Sequence, residues 1–167
     1  MSLPYDYLIT EAERFNVRLE IIAGATVWEA SPVFRHQWEV KRIANSLHPL
    51  AGSSCECIET QDTLFRFPDG SLKRPDIAVL CTMPDLETAD VALELIPTAV
   101  VEIISKNYEY KDFVLAPPFY LSQGVQDILI FNPADKSVLH YRPDLEQPKT
   151  YSSPITLNLE CGCEITV

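Results

Sequence analysis

The apolar positions of this chain come in short runs whose spacing changes several times. Over residues 5–15, "YDYLITEAERF", Tyr7, Leu8, Ala12 and Phe15 can share one helical face, which predicts a short opening helix. "VRLEIIAGATVWEAS" then carries two strand-like runs that turn near Gly24, a hairpin signal. Ser31–Pro32 opens a predicted helix over roughly residues 34–48, with Val33, Trp38, Ile43 and Leu47 as its apolar face and Pro49 as its stop.

Beyond that helix the pattern turns to strands. "SCECIETQDTLFRF" and "RPDIAVL" are strand candidates divided by the turn signal "PDG" at 68–70. Residues 81–97 are acidic and irregular, the composition of a surface loop or a short helix. "TAVVEII" predicts a strand, and "PPFYLSQG" a short helix opened by proline and stopped by Gly124. "VQDILIF" and "SVLHYR" flank "NPADK" as a second hairpin, and "ECGCEITV" can add a last strand after a Pro-rich stretch. No repeat or linker divides the chain, so residues 1–167 read as a single domain of the α+β (mixed α/β) class.

Two acids interrupt the strand pattern: Asp76 in "RPDIAVL" and Glu102 in "VVEIIS". A carboxylate among valines and isoleucines is costly to desolvate unless a cation compensates it. Two converging carboxylates are a common way to hold Mg²⁺ at phosphate-processing sites. The structural alternative is a buried pair satisfied by Arg74 or by backbone amides. Glu20 alternates with Leu19 and Ile21 and so falls on the polar face of its strand, while His36 reads as an exposed first-turn helix residue. His48 and His140 have no partner at a useful spacing. Tyr108, Tyr110 and Phe113 could stack on bases or pin their connection to the core.

Charge narrows the choice of function. The net charge is −11, and the basic residues do not cluster, which argues against a protein that coats nucleic acid. It leaves room for an enzyme that meets a polyanion at one local site. No run approaches the roughly 18 apolar residues of a membrane span. The N-terminus lacks the basic start and apolar stretch of a secretory signal, so a cytoplasmic protein with reduced thiols is expected. The five cysteines include two C-x-C pairs, Cys55/Cys57 and Cys161/Cys163. Structural zinc sites usually space paired cysteines more widely, and i, i+2 residues of a strand share a face, so inward packing as small apolar residues also accounts for them.

Taken in order, several segments resemble the Uma-type family of restriction-endonuclease-like proteins, within the PD-(D/E)XK nuclease superfamily. "YDYL" and "RLEIIAG" resemble its opening helix and "YELIDG" hairpin, and "SPVFRHQ" its "SP…HQ" helix entry. "RPDIAVL" resembles its "RPD" strand, "VVEIIS" its "VVEVLS" strand, and "FYLSQGVQDILIFNP" its "LYRRAGVPEYWLVDP" segment. The resemblance implies a restriction-endonuclease-like core, a central mixed sheet flanked by helices with an N-terminal helix and hairpin. It also implies a metal-dependent endonuclease acting on DNA, with Asp76 and Glu102 as ligands of Mg²⁺ (or Mn²⁺) and Glu20 as an auxiliary acid. The family's histidine and glutamine fall at His36 and Gln37. Pairing as a homodimer follows by analogy with the superfamily.

The match fails at one position. Ile104 stands where E-x-K would place a lysine, and the helix position to which Uma-type proteins move it falls on Ala116, followed by Pro117 and Pro118. Lys106 is the candidate catalytic substitute, with Lys111 and Lys73 as further candidates. The missing lysine also supports the alternative, a catalytically inactive nuclease fold serving as a protein-binding or assembly module.

Overall fold

Two strands with apolar residues on both faces lie at the centre of the molecule, as that composition requires. They are β8 (Ala99–Ile103) and β9 (Asp127–Asn132), and they run parallel with Glu102 opposite Ile130. The computed structural model describes residues 5–29, 31–87, 89, 92–106 and 109–167.

The chain opens with α1 (Tyr5–Arg14) and the hairpin β1 (Arg18–Ile22) and β2 (Ala25–Glu29), followed by α2 (Phe34–Ala44) and the short β3 (His48–Pro49). Next come β4 (Ile58–Gln61), β5 (Phe65–Arg66), β6 (Leu72–Lys73) and β7 (Ile77–Leu80), which lead into β8. A π-helical turn at Lys111–Leu115 and α3 (Ala116–Ser122) cross from β8 to β9. The chain closes with β10 (Ser137–Tyr141), β11 (Lys149–Ser152), β12 (Thr156–Asn158) and β13 (Cys163–Thr166). The central sheet has the order β11-β10-β9-β8-β7-β4, and only its β8–β9 pair is parallel. Smaller sheets, β2-β1-β6-β5 and β12-β13-β3, flank it.

Alternation divides the sheet into two packed faces. Ile77, Val79, Val101, Ile103, Leu129 and Phe131 pack with Val40, Ile43 and Ala44 of α2 and with Ile165 of β13. Ala78, Leu80, Val100, Ile128 and Ile130 pack with Phe119 and Tyr120 of α3 and with Phe65 and Phe67. Asp76 and Glu102 belong to this second alternation. Because β7 and β8 are antiparallel with Ile77 opposite Val101, the residue that enters β7 lies beside the residue near the end of β8.

The predicted elements form, but several faces differ from expectation. In α1 the buried residues are Ile9 and Ala12, whereas Tyr7 and Phe15 are exposed. In α2 they are His36, Val40, Ile43 and Ala44, spaced i, i+4, i+7 and i+8, while Val33 and Trp38 face solvent. That helix ends at Ala44, and Pro49 lies in β3 instead of stopping it. The segment 81–97 is irregular where described, with Leu93 bridging to Phe65. The Pro-rich tail supplies β11 and β12 in addition to the expected last strand.

The cysteines depart most from the reduced-thiol expectation. Pairing of β4 with β7 brings Cys55 to Cys81, and β13 brings Cys163 to Cys57; both pairs are disulfides, with Cα separations of 4.3 and 5.8 Å. Cys161 is free.

The prolines of α3 account for the widened turn before it. Pro117 and Pro118 bring no N–H donors to the helix start. The backbone N–H of Ala116 bonds the carbonyl of Lys111, five residues back. Helical structure therefore begins before the prolines, not at them, and Lys111 and Asp112 project from the π turn toward the end of β8.

Candidate active site

Glu102 finds its cation in Lys73. Lys73 Nζ lies 3.1 Å from Glu102 Oε1 and 3.4 Å from Glu20 Oε2, and none of the three side chains reaches solvent appreciably. The ammonium also stands 4.9 Å from the centre of the Tyr120 ring. Tyr120 donates its hydroxyl to Glu102 Oε1 at 2.5 Å. Among the described residues, Glu102 Oε2 has only a long contact, 3.4 Å, from the Asp76 backbone N–H.

Glu20 corrects its expected position on a polar face: it is fully buried. The reason is β6, which pairs with β1 and brings Lys73 over it. Glu20 Oε1 accepts the Arg74 backbone N–H at 2.8 Å, and Oε2 faces Lys111 Nζ at 3.2 Å. Lys111 also contacts Glu29 and lies 3.8 Å from Asp112. The Arg74 guanidinium turns away to Glu13, so it does not compensate the acids.

Asp76 differs from both glutamates because it opens on a cavity of about 340 Å³. Its Oδ2 accepts the Ile103 backbone N–H at 2.8 Å and faces His36 Nε2 at 3.1 Å. Arg18, His36, Lys106, Lys111 and Asp112 also line this cavity, while Glu20, Lys73 and Glu102 lie behind its wall. Lys106 sits exposed at the rim; Lys73 and Lys111 are the lysines that reach the carboxylates. Ala116, where the resemblance leads one to expect a lysine, is fully buried in the apolar core. Gln37 is exposed and Tyr110 largely so, whereas Tyr108 lies outside the described residues.

The expectation for His36 is also overturned, since only 8% of it is exposed. The signal was present in the sequence, because His36 shares the helical stripe of Val40, Ile43 and Ala44. The other histidines have partners that are distant in the chain: His140 Nε2 lies 2.7 Å from buried Asp127, and His48 Nε2 lies 3.0 Å from Glu164. Both partnerships join separate strands, and spacing could not reveal them. Asp112 and Tyr120 went unrecognised, the first because it follows a lysine in a polar connection and the second because it sits in an apolar run.

Crowding of carboxylates sets the charge balance. Burial, joined by Asp76, Asp112 and Glu20, outweighs Lys73 and lifts the Glu102 pKa to about 8. Burial also lifts Asp112 to about 6 against the pull of Lys111. At Glu20 burial is overcome by Lys73 and Lys111, and its pKa is lowered. At Lys73 burial is overcome by Glu102 and Glu20, and its pKa is raised well above the usual lysine range. At His36 burial is outweighed by the Asp76 carboxylate, and its pKa is raised. The cluster thus holds more carboxylates than its two lysines neutralise, and the donor atoms are hard oxygens, a set that suits a hard divalent cation. No three carboxylate or imidazole ligand atoms gather within 4.8 Å among the described residues. Mg²⁺ does not require that, since it is often held by one or two carboxylates, with water and substrate phosphate completing its shell.

A family model described as "Uma2: Putative restriction endonuclease" matches residues 4–166. The chain belongs to the Uma2 family. A solved structure of "a putative nuclease belonging to DUF820" from Anabaena variabilis matches with a TM-score of 0.66 at 22% identity. That match covers 84% of this chain and 80% of the other. At that identity the likeness is one of fold, and it bears out the restriction-endonuclease-like α+β core with its helix-and-hairpin addition. No curated protein matches the chain. In this Uma2 chain a buried alanine stands where the resemblance led one to expect lysine, and two other lysines reach the acids from β6 and the π turn.

Proposed function

We propose that this Uma2 chain hydrolyses nucleic-acid phosphodiester bonds, with DNA as substrate and a divalent ion as cofactor. The observation that carries the reading is the meeting of Asp76, backed by Glu102, with Lys111, Arg18 and His36 at one cavity. Asp76 and Glu102 would be the residues that hold Mg²⁺ or Mn²⁺. When bound, such an ion supplies Lewis acidity toward a phosphoryl oxygen and acidifies its water.

The remaining steps belong to the chain itself. Lys111 and Arg18 bring positive charge to the cavity and would bind the non-bridging oxygens, which a chain of net charge −11 must do locally. Lys111, fixed by Glu20 and Glu29, takes the position-holding part of the missing helix lysine. The Ile103 amide and His36 fix the Asp76 carboxylate, so that its orientation does not depend on solvent.

Cleavage of plasmid DNA with Mg²⁺ and with Mn²⁺, comparing the natural chain with Asp76→Ala, tests this. Loss of cleavage in the variant supports the reading; cleavage that persists unchanged marks a contaminant and ends it.

One observation favours a second reading. Lys73 occupies the space between Glu20 and Glu102, and Tyr120 holds the same Glu102 oxygen, so the internal pair can satisfy Glu102 without any metal. The chain would then be a non-catalytic module that keeps the fold for binding another protein. Calorimetric titration of Mn²⁺ separates the two, since this reading requires no heat that depends on Asp76.

A further inference from the structure

All five cysteines of the chain converge on one point between the β4 entry, the end of β7 and the start of β13. Cys55 and Cys81 are bonded, as are Cys57 and Cys163, and the two bridges touch through Cys163 Sγ and Cys55 Sγ at 3.4 Å. The fifth sulfur joins them, since Cys55, Cys161 and Cys163 have their sulfurs within 4.8 Å of one another. Bridges that staple a small scaffold are usually needed where the core is too small, and this chain buries an extensive one on both sheet faces.

From this geometry we infer that the reduced chain binds one zinc ion at this cluster, through the thiolates of Cys55, Cys161 and Cys163 and a fourth from Cys57 or Cys81. In a tetrahedral thiolate site with bonds of about 2.3 Å, the sulfurs stand roughly 3.8 Å apart, so opening the two bridges needs only a small separation of atoms already gathered. The C-x-C spacing, which argued against zinc along one strand, loses its force here because the ligands come from segments far apart in the chain.

The backbone holds these segments in place. Gly162, between Cys161 and Cys163, has φ +88°, and its carbonyl accepts the Leu50 N–H at 2.9 Å. The Gly162 N–H bonds the Leu159 carbonyl at 3.0 Å. Cys57 is itself in the left-handed region, with φ +51°. Cys161 is only partly buried, which gives an ion and a reductant a way in. The conversion balances with a dithiol reductant: each bridge takes up two electrons and two protons to become two thiols, and the dithiol becomes a disulfide. Binding of Zn²⁺ then releases the protons of the thiols that ligate it.

The test is direct. The full chain is purified without chelator in a non-coordinating phosphine reductant, and zinc and reactive thiols are counted; Co²⁺ is then exchanged in. The expected result is one zinc per chain and, with Co²⁺, the thiolate charge-transfer and intense visible bands of a tetrahedral site. Cys161→Ser and Cys163→Ser lose the metal, and only one of Cys57→Ser and Cys81→Ser keeps it. Because Cys161 lies at the edge of the core, Cys161→Ser serves as the folded control, checked by circular dichroism. Absence of zinc from the reduced chain before and after reconstitution overturns the inference, as does iron–sulfur absorption or a Cys161→Ser chain that still binds stoichiometric zinc. The outcome is independent of Asp76, so it stands apart from the nuclease reading.

Discussion

Lys73 and Glu20 form an ion pair, 3.4 Å between Nζ and Oε2, in a place that water does not reach, and Glu102 Oε1 lies 3.1 Å from the same ammonium. A pair of this kind contributes less through its own attraction than through the cost of losing one member, because the remaining charge is stranded. Lys73→Met leaves both Glu20 and Glu102 without that ammonium and is expected to destabilise the chain by about 3–5 kcal/mol. Adding Glu20→Gln should recover part of the loss. Urea unfolding of the single and double variants measures this, and simple additivity of the two substitutions would contradict the coupling.

The same cluster gives a pH dependence with a definite sign. Folding raises the Glu102 pKa from an ordinary 4.5 to about 8, so the folded chain holds a proton there that the unfolded chain releases. The stability linked to this group is fully present below the unfolded value and is lost as pH rises through the folded one. Melting temperature should therefore fall between about pH 4.5 and pH 8 and level off above it, and Glu102→Gln should flatten that part of the profile. If Mn²⁺ binds there as proposed, it competes with the proton for the same oxygens, and its stabilising effect should grow over the same interval.

Lys111 and Lys106 both line the cavity, but only Lys111 reaches the carboxylates. If the chain cleaves DNA, Lys111→Ala should lower kcat by about 100-fold or more, the scale expected when a positioned charge is removed from a phosphoryl-transfer site. Lys106→Ala should change it by less than about 5-fold, with a larger effect on the salt dependence of DNA binding. Equal losses from the two variants would contradict the assignment of Lys111.

Gly162 offers a test of packing beside the cysteine cluster. A Cβ built there would lie 2.6 Å from Ser53 Oγ, on a backbone with φ +88° that side chains rarely adopt. Ser53 cannot yield freely, because its hydroxyl accepts the Cys55 N–H at 3.1 Å. Gly162→Ala is expected to cost about 1–3 kcal/mol in thermal or urea unfolding, and Ser53→Ala in the same chain should relieve only the steric share.

The histidine at position 36 illustrates what could be read locally and what was read wrongly. Its burial follows from the i, i+4, i+7 stripe it shares with Val40 and Ile43, whereas the larger Trp38 faces solvent. Burial in a helix depends on which stripe meets the sheet, and side-chain size does not settle that. The lysines show the other kind of limit. Lys73, Lys106 and Lys111 were all visible as candidates, but their distances to Glu20 and Glu102 depend on how β6 and the π turn lie against β1 and β8.

By itself the sequence determined the run of strands and helices, the hairpins at Gly24 and at "NPADK", the kinship with restriction-endonuclease-like chains, and the two acids that interrupt apolar strands. These are local matters, set by side-chain periodicity, turn chemistry and short ordered motifs. The tertiary structure alone decided that Lys73 is the cation of Glu102, that Glu20 is buried, that Asp76 is the acid facing the cavity, and that five cysteines from three segments meet. Each of these is a contact between residues far apart in the chain, and such contacts exist only once the strands have chosen their neighbours.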